Sequence, residues 1–170
     1  RTSRDPDDIA VRAREKEVIK RRLSALTDAS TDVAALVRES DVIVSLCPPD
    51  AARDVAHQVA DARFTGVYVD ANAIAPSTAR DVAHVVGSGG ATYVDGSVIG
   101  APVQPGGWTR LYLAGDGAEP VAALFAADDP TVVVLGDDAT AASTLKMCNA
   151  AWTKATSAAL LTIWATAHSG

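Results

Sequence analysis

The chain has 170 residues, a formal net charge of −6 and a hydrophobic share of 48%, with only 5% aromatic residues. That length supports one domain with a proper core, and the acidic balance excludes a general phosphate-backbone binder, because nucleic-acid affinity rests largely on basic surface. Cys47 and Cys148 lie far apart with no CxxC spacing, so neither a zinc site nor a disulfide framework is indicated and a cytoplasmic protein with reduced thiols is expected.

No long uninterrupted apolar run and no charged-then-apolar leader occurs, which predicts neither a membrane span nor a signal peptide. The start at Arg1 without methionine points to trimming. Asp5-Pro6 reads as an N-cap followed by proline at the first helical position, opening a helix to about Leu26. Its alternating basic and acidic residues from Arg12 to Arg22 fit a solvated face. Ser30-Thr31-Asp32 supplies a cap for a short helix through Glu39. Asp41 to Leu46 is β-branched and continuous, the mark of a strand buried on both faces, and it ends at Cys47-Pro48-Pro49.

A helix from Asp50 to about Ala62 follows, then strand Val67 to Asp70, the loop Ala71 to Ala75 and a helix opened by Pro76. Next come strand Ala91 to Asp95, a loop from Gly96 to Trp108, strand Arg110 to Ala114, a helix from about Ala118 to Ala127 and strand Thr131 to Leu135. Strands alternating with helices predict α/β layering with parallel pairing at each crossover. The section from Tyr93 to Ala114 has no crossover helix, which predicts one antiparallel pair. Arg53-Asp54-Val55-Ala56-His57 recurs as Arg80-Asp81-Val82-Ala83-His84, each block four residues beyond a proline. These are two similar strand-loop-helix units.

The final segment, from about Ala139 to Ala167, is one helical pattern with Leu145, Cys148, Trp152, Leu160, Ile163 and Trp164 largely on one stripe. At roughly 42 Å such a helix outreaches a small sheet, and a second domain or subunit is expected to receive it. Ligands in open α/β sheets collect beyond the carboxyl ends of the strands, here Leu46-Cys47-Pro48-Pro49, Asp70-Ala71-Asn72-Ala73 and Asp95-Gly96-Ser97. His57, His84 and His168 are expected at the surface, and Cys47 reads as a packed strand-end residue.

The ordered series RTSR, DVIVSLCPP, VDANAIAPSTA, YVDGSVIGAP, LYLAGD and LGDDATAASTLKMCNA resembles the β-hydroxyacid dehydrogenase family over nearly the whole chain. The resemblance implies an incomplete Rossmann-type, mostly parallel sheet at residues 1–138. It also implies a long interdomain helix starting at residues 139–170 and leading to an all-α domain that completes the site and makes a homodimer. The family's GxGxxG loop has no counterpart here. Arg1, Thr2 and Arg4 resemble the motif after the family's second strand and would lie where a 2′-phosphate sits, which implies NADP rather than NAD. Without the resemblance they read as a frayed terminus.

The family stretch beside the nicotinamide ribose resembles Asp70 to Pro76, with Asn72 and Ala73 in place of a serine and a threonine. Leu46, Cys47 and Pro48 fall to the cofactor side by the same resemblance. Asn72 also reads simply as a turn former. The substrate loop resembles Asp95 to Ala101: Ser97 replaces a proline, Val98 and Gly100 match, and Ile99 replaces a serine whose hydroxyl would hold a substrate carboxylate. Gly96 and Gly100 read otherwise as turn glycines.

Lys146 matches the family's catalytic lysine, whereas the asparagine expected four residues later is replaced by Ala150, with Asn149 one position earlier. Oxidation of a carbinol releases a hydroxyl proton and the reverse step consumes one, so a lysine in the cleft can act as base and acid. By spacing alone Lys146 is a solvated snorkelling residue. The reading that results is an NADP-dependent oxidoreductase acting on a hydroxy acid or related carbonyl compound, with Lys146 and Asn149 catalytic and no metal, and with this chain by itself inactive. The alternatives are a non-catalytic dimerising or scaffold domain, and imine reduction, against which Lys146 counts.

Overall fold

The computed structural model describes residues 32–102, 107–125 and 130–169. The helix expected from Pro6, and with it Arg1, Thr2 and Arg4, lies outside the described residues. The described chain is α/β: strands β1 (Val42–Ser45), β2 (Val67–Asp70), β3 (Thr92–Ile99), β4 (Arg110–Ala114) and β5 (Thr131–Val134) form one sheet in the order β1-β2-β3-β4-β5. Helices α1 (Val33–Glu39), α2 (Ala52–Asp61), α3 (Pro76–Gly89), α4 (Ala118–Leu124) and α5 (Ala141–Ala167) flank it, with a short 3₁₀ turn at Pro49–Ala51. β1, β2 and β3 run parallel and β4 pairs antiparallel to β3, as the missing crossover helix predicts, while β5 is parallel to β4. The amino end of β4 therefore stands beside the carboxyl ends of β1 to β3.

Side chains alternate across the sheet, and each face buries its own core. On one face Ile43 and Tyr68 pack with Ala52, Ala56 and Val59 of α2, Ala79, Val82 and Val86 of α3, and the apolar side of α1. On the other, Val69, Val94, Leu111 and Leu113 pack with Ala118 and Val121 of α4 and with Val132 and Val134 of β5. The alanines let helices approach closely: a side chain at Gly89 would come within 2.7 Å of the Ala60 Cα.

Two expectations need correction. β1 is well covered on one face and only partly on the other, since Ile43 and Ser45 are buried and Val42 packs at the margin of the second core while Val44 is 41% exposed. It is an edge strand among the described residues. β3 continues four residues past Asp95 into the segment expected to be a loop, because Gly96 to Ile99 pair with Leu113 to Arg110. No helix among the described residues is long and apolar enough to cross a membrane.

The repeated units end alike. After α2 the amides of Arg63 and Phe64 donate to the carbonyls of Ala60 and Val59, and after α3 those of Gly90 and Ala91 donate to Gly87 and Val86. Both are Schellman closures, with the following Phe64 or Ala91 buried. The left-handed position is held by Gly90 in one unit (φ +111°) and by Arg63 in the other (φ 59°), although only glycine adopts that conformation without steric cost. Arg63→Gly is expected to stabilise the chain by about 0.5–1 kcal/mol and Gly90→Ala to destabilise it by about 1 kcal/mol, read as opposite shifts of the urea midpoint.

Candidate functional site

The sheet face that carries α2 and α3 also receives α5, which packs on β3 and β4. Along this face the sequence places polar side chains at alternate positions: Ser45 on β1, Asp70 on β2, and Asp95 and Ser97 on β3, all buried. They surround the carboxyl ends of the parallel strands, where the connecting loops begin.

Asn72 is 3% exposed and holds two of those loops together. Its Oδ1 accepts from the Cys47 amide at 2.6 Å and its Nδ2 donates to Ser45 Oγ at 3.0 Å, while its own amide donates to Asp70 Oδ1 at 2.9 Å. The side chain expected to contact a cofactor thus also bridges two loops, with one bond made by each of its polar atoms. Its role is to fix the positions of Leu46, Cys47 and Pro48. Leu46 is 70% exposed, Pro48 and Ala73 are exposed, and Cys47 is half-buried.

β3 carries the predicted substrate segment. Ser97 is buried and its Oγ has no hydrogen-bond partner among the described residues. Val98 and Ile99 are half-buried, and Gly100 is exposed at φ +143°. A Cβ on Gly100 would stand 2.6 Å from the Thr109 Cα, so the turn there requires glycine. Gly96, by contrast, is inside the strand, and a Cβ would stand 2.9 Å from the Asp70 carbonyl oxygen. It permits close approach of β2 and β3 rather than a turn.

Helix α5 meets β3 at two points. The Ser143 amide and Oγ donate to the Asp95 carboxylate at 2.7 and 2.5 Å, both groups buried. One turn on, half-buried Lys146 donates through Nζ to the Val98 carbonyl at 2.6 Å. The structure thus brings Lys146 to the substrate segment, at the carboxyl end of β3. Asn149 lies half-buried on the next turn. Beyond Ala150 every described residue of α5 is exposed, Trp152 at 73% and Trp164 at 62%, so that part of the expected stripe is buried against nothing among the described residues.

Asp95 and Ser143 were not among the predicted site residues. The signal available was the acidic end of the strand, but its partner is 48 residues away, beyond any spacing rule. Burial pushes the Asp95 carboxyl up to about 6, against the lowering effect of the Ser143 hydrogen bonds and with a further rise from Asp70. Burial likewise raises Asp70, partly offset by the Asn72 amide. Burial also pushes the Tyr68 hydroxyl up to about 12 and carries Tyr93 well above the usual tyrosine range, helped by the nearby Asp95 and Asp70 charges. These groups form a desolvated acidic layer beneath the start of α5. Among the described residues no cluster of three or more His, Cys, Asp or Glu could hold a metal ion.

Solved structures share this fold. A conserved protein from Sinorhizobium meliloti is 27% identical with a TM-score of 0.64 over 80% of this chain and 46% of that one. MTH1747, a conserved protein with structural similarity to 3-hydroxyacid dehydrogenases, is 28% identical with a TM-score of 0.65 over 76% of this chain and 48% of its own. An imine reductase from Myxococcus stipitatus, in complex with NADP+, is 24% identical with a TM-score of 0.58 over 81% of this chain and 46% of its own, a likeness of fold alone. The chain therefore spans about half the length of these structures. No protein-family model and no curated protein matches it. The fold class is the Rossmann-type one that the sequence resemblance implied; the neighbours include a 3-hydroxyacid dehydrogenase-like structure and, as likenesses of fold, imine reductases and a 3-hydroxyisobutyrate dehydrogenase.

Two measurements test this geometry. Asn72→Ala leaves the Cys47 amide and the Ser45 hydroxyl without their partner and is expected to cost about 1–3 kcal/mol in urea unfolding. The raised Asp95 pKa means that the native state holds this proton more tightly than the unfolded chain. Its contribution to stability is thus full below about pH 4 and is lost as pH rises through about 6. Asp95→Asn is expected to reduce the fall in stability between pH 4 and 7 by up to about 3 kcal/mol, with the residual slope left by Asp70.

Proposed function

We propose that the protein carrying this chain is an NADP-dependent oxidoreductase that transfers a hydride between a nicotinamide cofactor and a hydroxy acid or related carbonyl compound. The observation that carries the reading is Lys146: its ammonium is held 2.6 Å from the Val98 carbonyl at the carboxyl end of β3, where open α/β sheets bind their ligands. The 28% likeness to MTH1747, whose structure is similar to 3-hydroxyacid dehydrogenases, supports the oxidoreductase part of the reading.

The residues present fit the nicotinamide end of a cofactor: Leu46 and Ala73 are exposed at adjoining strand ends, on loops that Asn72 braces. The sequence carries no GxGxxG to hold a pyrophosphate. The choice of NADP over NAD rests on Arg1, Thr2 and Arg4, which are outside the described residues. A bound nicotinamide supplies the two-electron acceptor or donor. Lys146 takes the hydroxyl proton as a carbinol is oxidised and returns a proton to the alkoxide oxygen in reduction. Ser97, Val98, Ile99 and Gly100 line the substrate side, with Asn149 orienting the reacting oxygen. The reading includes a cytoplasmic homodimer acting on a small molecule.

Imine reduction is the second reading, favoured by Ile99. An apolar side chain where the family has a hydroxyl suits a substrate without a carboxylate.

The test is a titration of the intact protein with NADPH and NADH, followed by turnover assays on hydroxy acids and on cyclic imines. Binding of NADPH and a loss of about 10²–10⁴-fold in kcat for Lys146→Ala are expected. Binding of neither cofactor sinks the reading, and undiminished turnover by Lys146→Ala removes the lysine from the chemistry.

A further inference from the structure

We propose that Asp95 and Ser143 are positioning residues for Lys146: the buried carboxylate on β3 pins the first turn of α5 and thereby delivers the lysine amine to the Val98 carbonyl. The inference rests on the reading of Lys146 as the acid and base, but its geometry can be tested apart from that reading.

Three observations carry it. First, α5 has no local cap of the ordinary kind, since Thr140 at its N-cap makes no side-chain bond into the helix. Asp138 instead accepts from the Thr140 amide and hydroxyl, outside the helix proper. The amide of Ser143, three residues past the cap, is one of the donors that a helix leaves unsatisfied, and it is Asp95 that satisfies it. Second, the contact is doubled by the Ser143 hydroxyl and sealed from water, for Asp95 is 0% and Ser143 1% exposed. A buried charge-assisted pair of this kind allows little sliding. Third, the two ties are in step. Asp95 meets Ser143 and, three residues further along each element, Val98 meets Lys146, so α5 leaves the first tie in the direction of β3, and the long lysine side chain spans the difference between about 10 Å of strand and about 4.5 Å of helix.

Among the described residues this first turn is where the helix is held: the Ala142 amide adds to the bonds on Asp95 while its side chain is apolar and buried, and beyond Ala150 the helix touches no other part of the described chain closely enough to be buried. A lysine side chain has four rotatable carbons, so its amine goes where the helix register and the first acceptor put it.

The experiment uses the intact protein with Ser143→Ala, Ser143→Thr and Asp95→Asn. Two readouts are taken: the rate at which acetic anhydride labels Lys146, with exposed Lys154 of the same helix as the internal standard, and kcat and KM with NADPH. Ser143→Ala is expected to speed labelling of Lys146 relative to Lys154 several-fold and to lower kcat about 10- to 100-fold with the KM for NADPH unchanged. Ser143→Thr, which keeps the hydroxyl, is expected to restore both. Asp95→Asn is expected to behave as Ser143→Ala; if it does not fold, the Ser143 pair decides alone. Unchanged Lys146 labelling in Ser143→Ala overturns the proposal, as does a fall in kcat that Ser143→Thr fails to rescue. If the wild-type protein turns over no substrate, the oxidoreductase reading fails while the labelling ratio still decides whether the clamp positions the lysine.

Discussion

A carboxylate buried in the centre of the sheet holds the start of the longest helix, and the geometry of the site follows from that contact. Among the described residues Asp95 takes its main hydrogen bonds from the first turn of α5. Burying a carboxylate costs free energy that such bonds must offset, and the positive end of a helix offers both donors and a favourable dipole. The sheet thus fixes the helix at the point where the helix lacks partners of its own. From there α5 rises along β3, passes Lys146 over the Val98 carbonyl and leaves the sheet after Ala150.

The loops across the cleft are fixed by a different device. β1 with α2 and β2 with α3 are two copies of one unit, each beginning its helix at a proline and ending it in a Schellman closure. Parallel copies bring equivalent loops side by side, and Asn72 joins them by taking the Cys47 amide of one while its own amide stays with Asp70 of the other. Two short loops that would each sample several conformations become one braced rim. The Arg53–Asp81 ion pair links the same helices at 2.6 Å, but both side chains are more than half exposed, and it contributes little beside the buried contacts.

Much of this was legible in the sequence because it depends on local pattern. The alternation of strand and helix, the proline-led helices and the missing crossover between Tyr93 and Arg110 all come from period and turn chemistry. What failed depends on neighbours. DVIVSL has the composition of a doubly covered strand, but coverage is set by which helix lies above it, and Val44 has none among the described residues. GSVIG reads as a loop because its glycines interrupt the pattern, yet pairing with β4 carries it to Ile99. Asn72 was read both as a cofactor contact and as a turn residue, and its geometry is that of a brace. Lys146 stood out only through the family resemblance; its spacing alone describes a surface lysine.

The contact that holds the Lys146 amine is compatible with the acid and base role proposed for it. An ammonium has three donors, and the Val98 carbonyl takes one of them. A main-chain carbonyl within a strand cannot move away or accept a proton, so it holds the amine without competing for the proton that an acid or base must exchange. A carboxylate in the position of that carbonyl would neutralise the lysine as an ion pair. The carboxylate of this region, Asp95, is instead engaged by Ser143, one helical turn before Lys146. In the proposed mechanism the group that positions, Asp95, is thus separate from the group that reacts, Lys146.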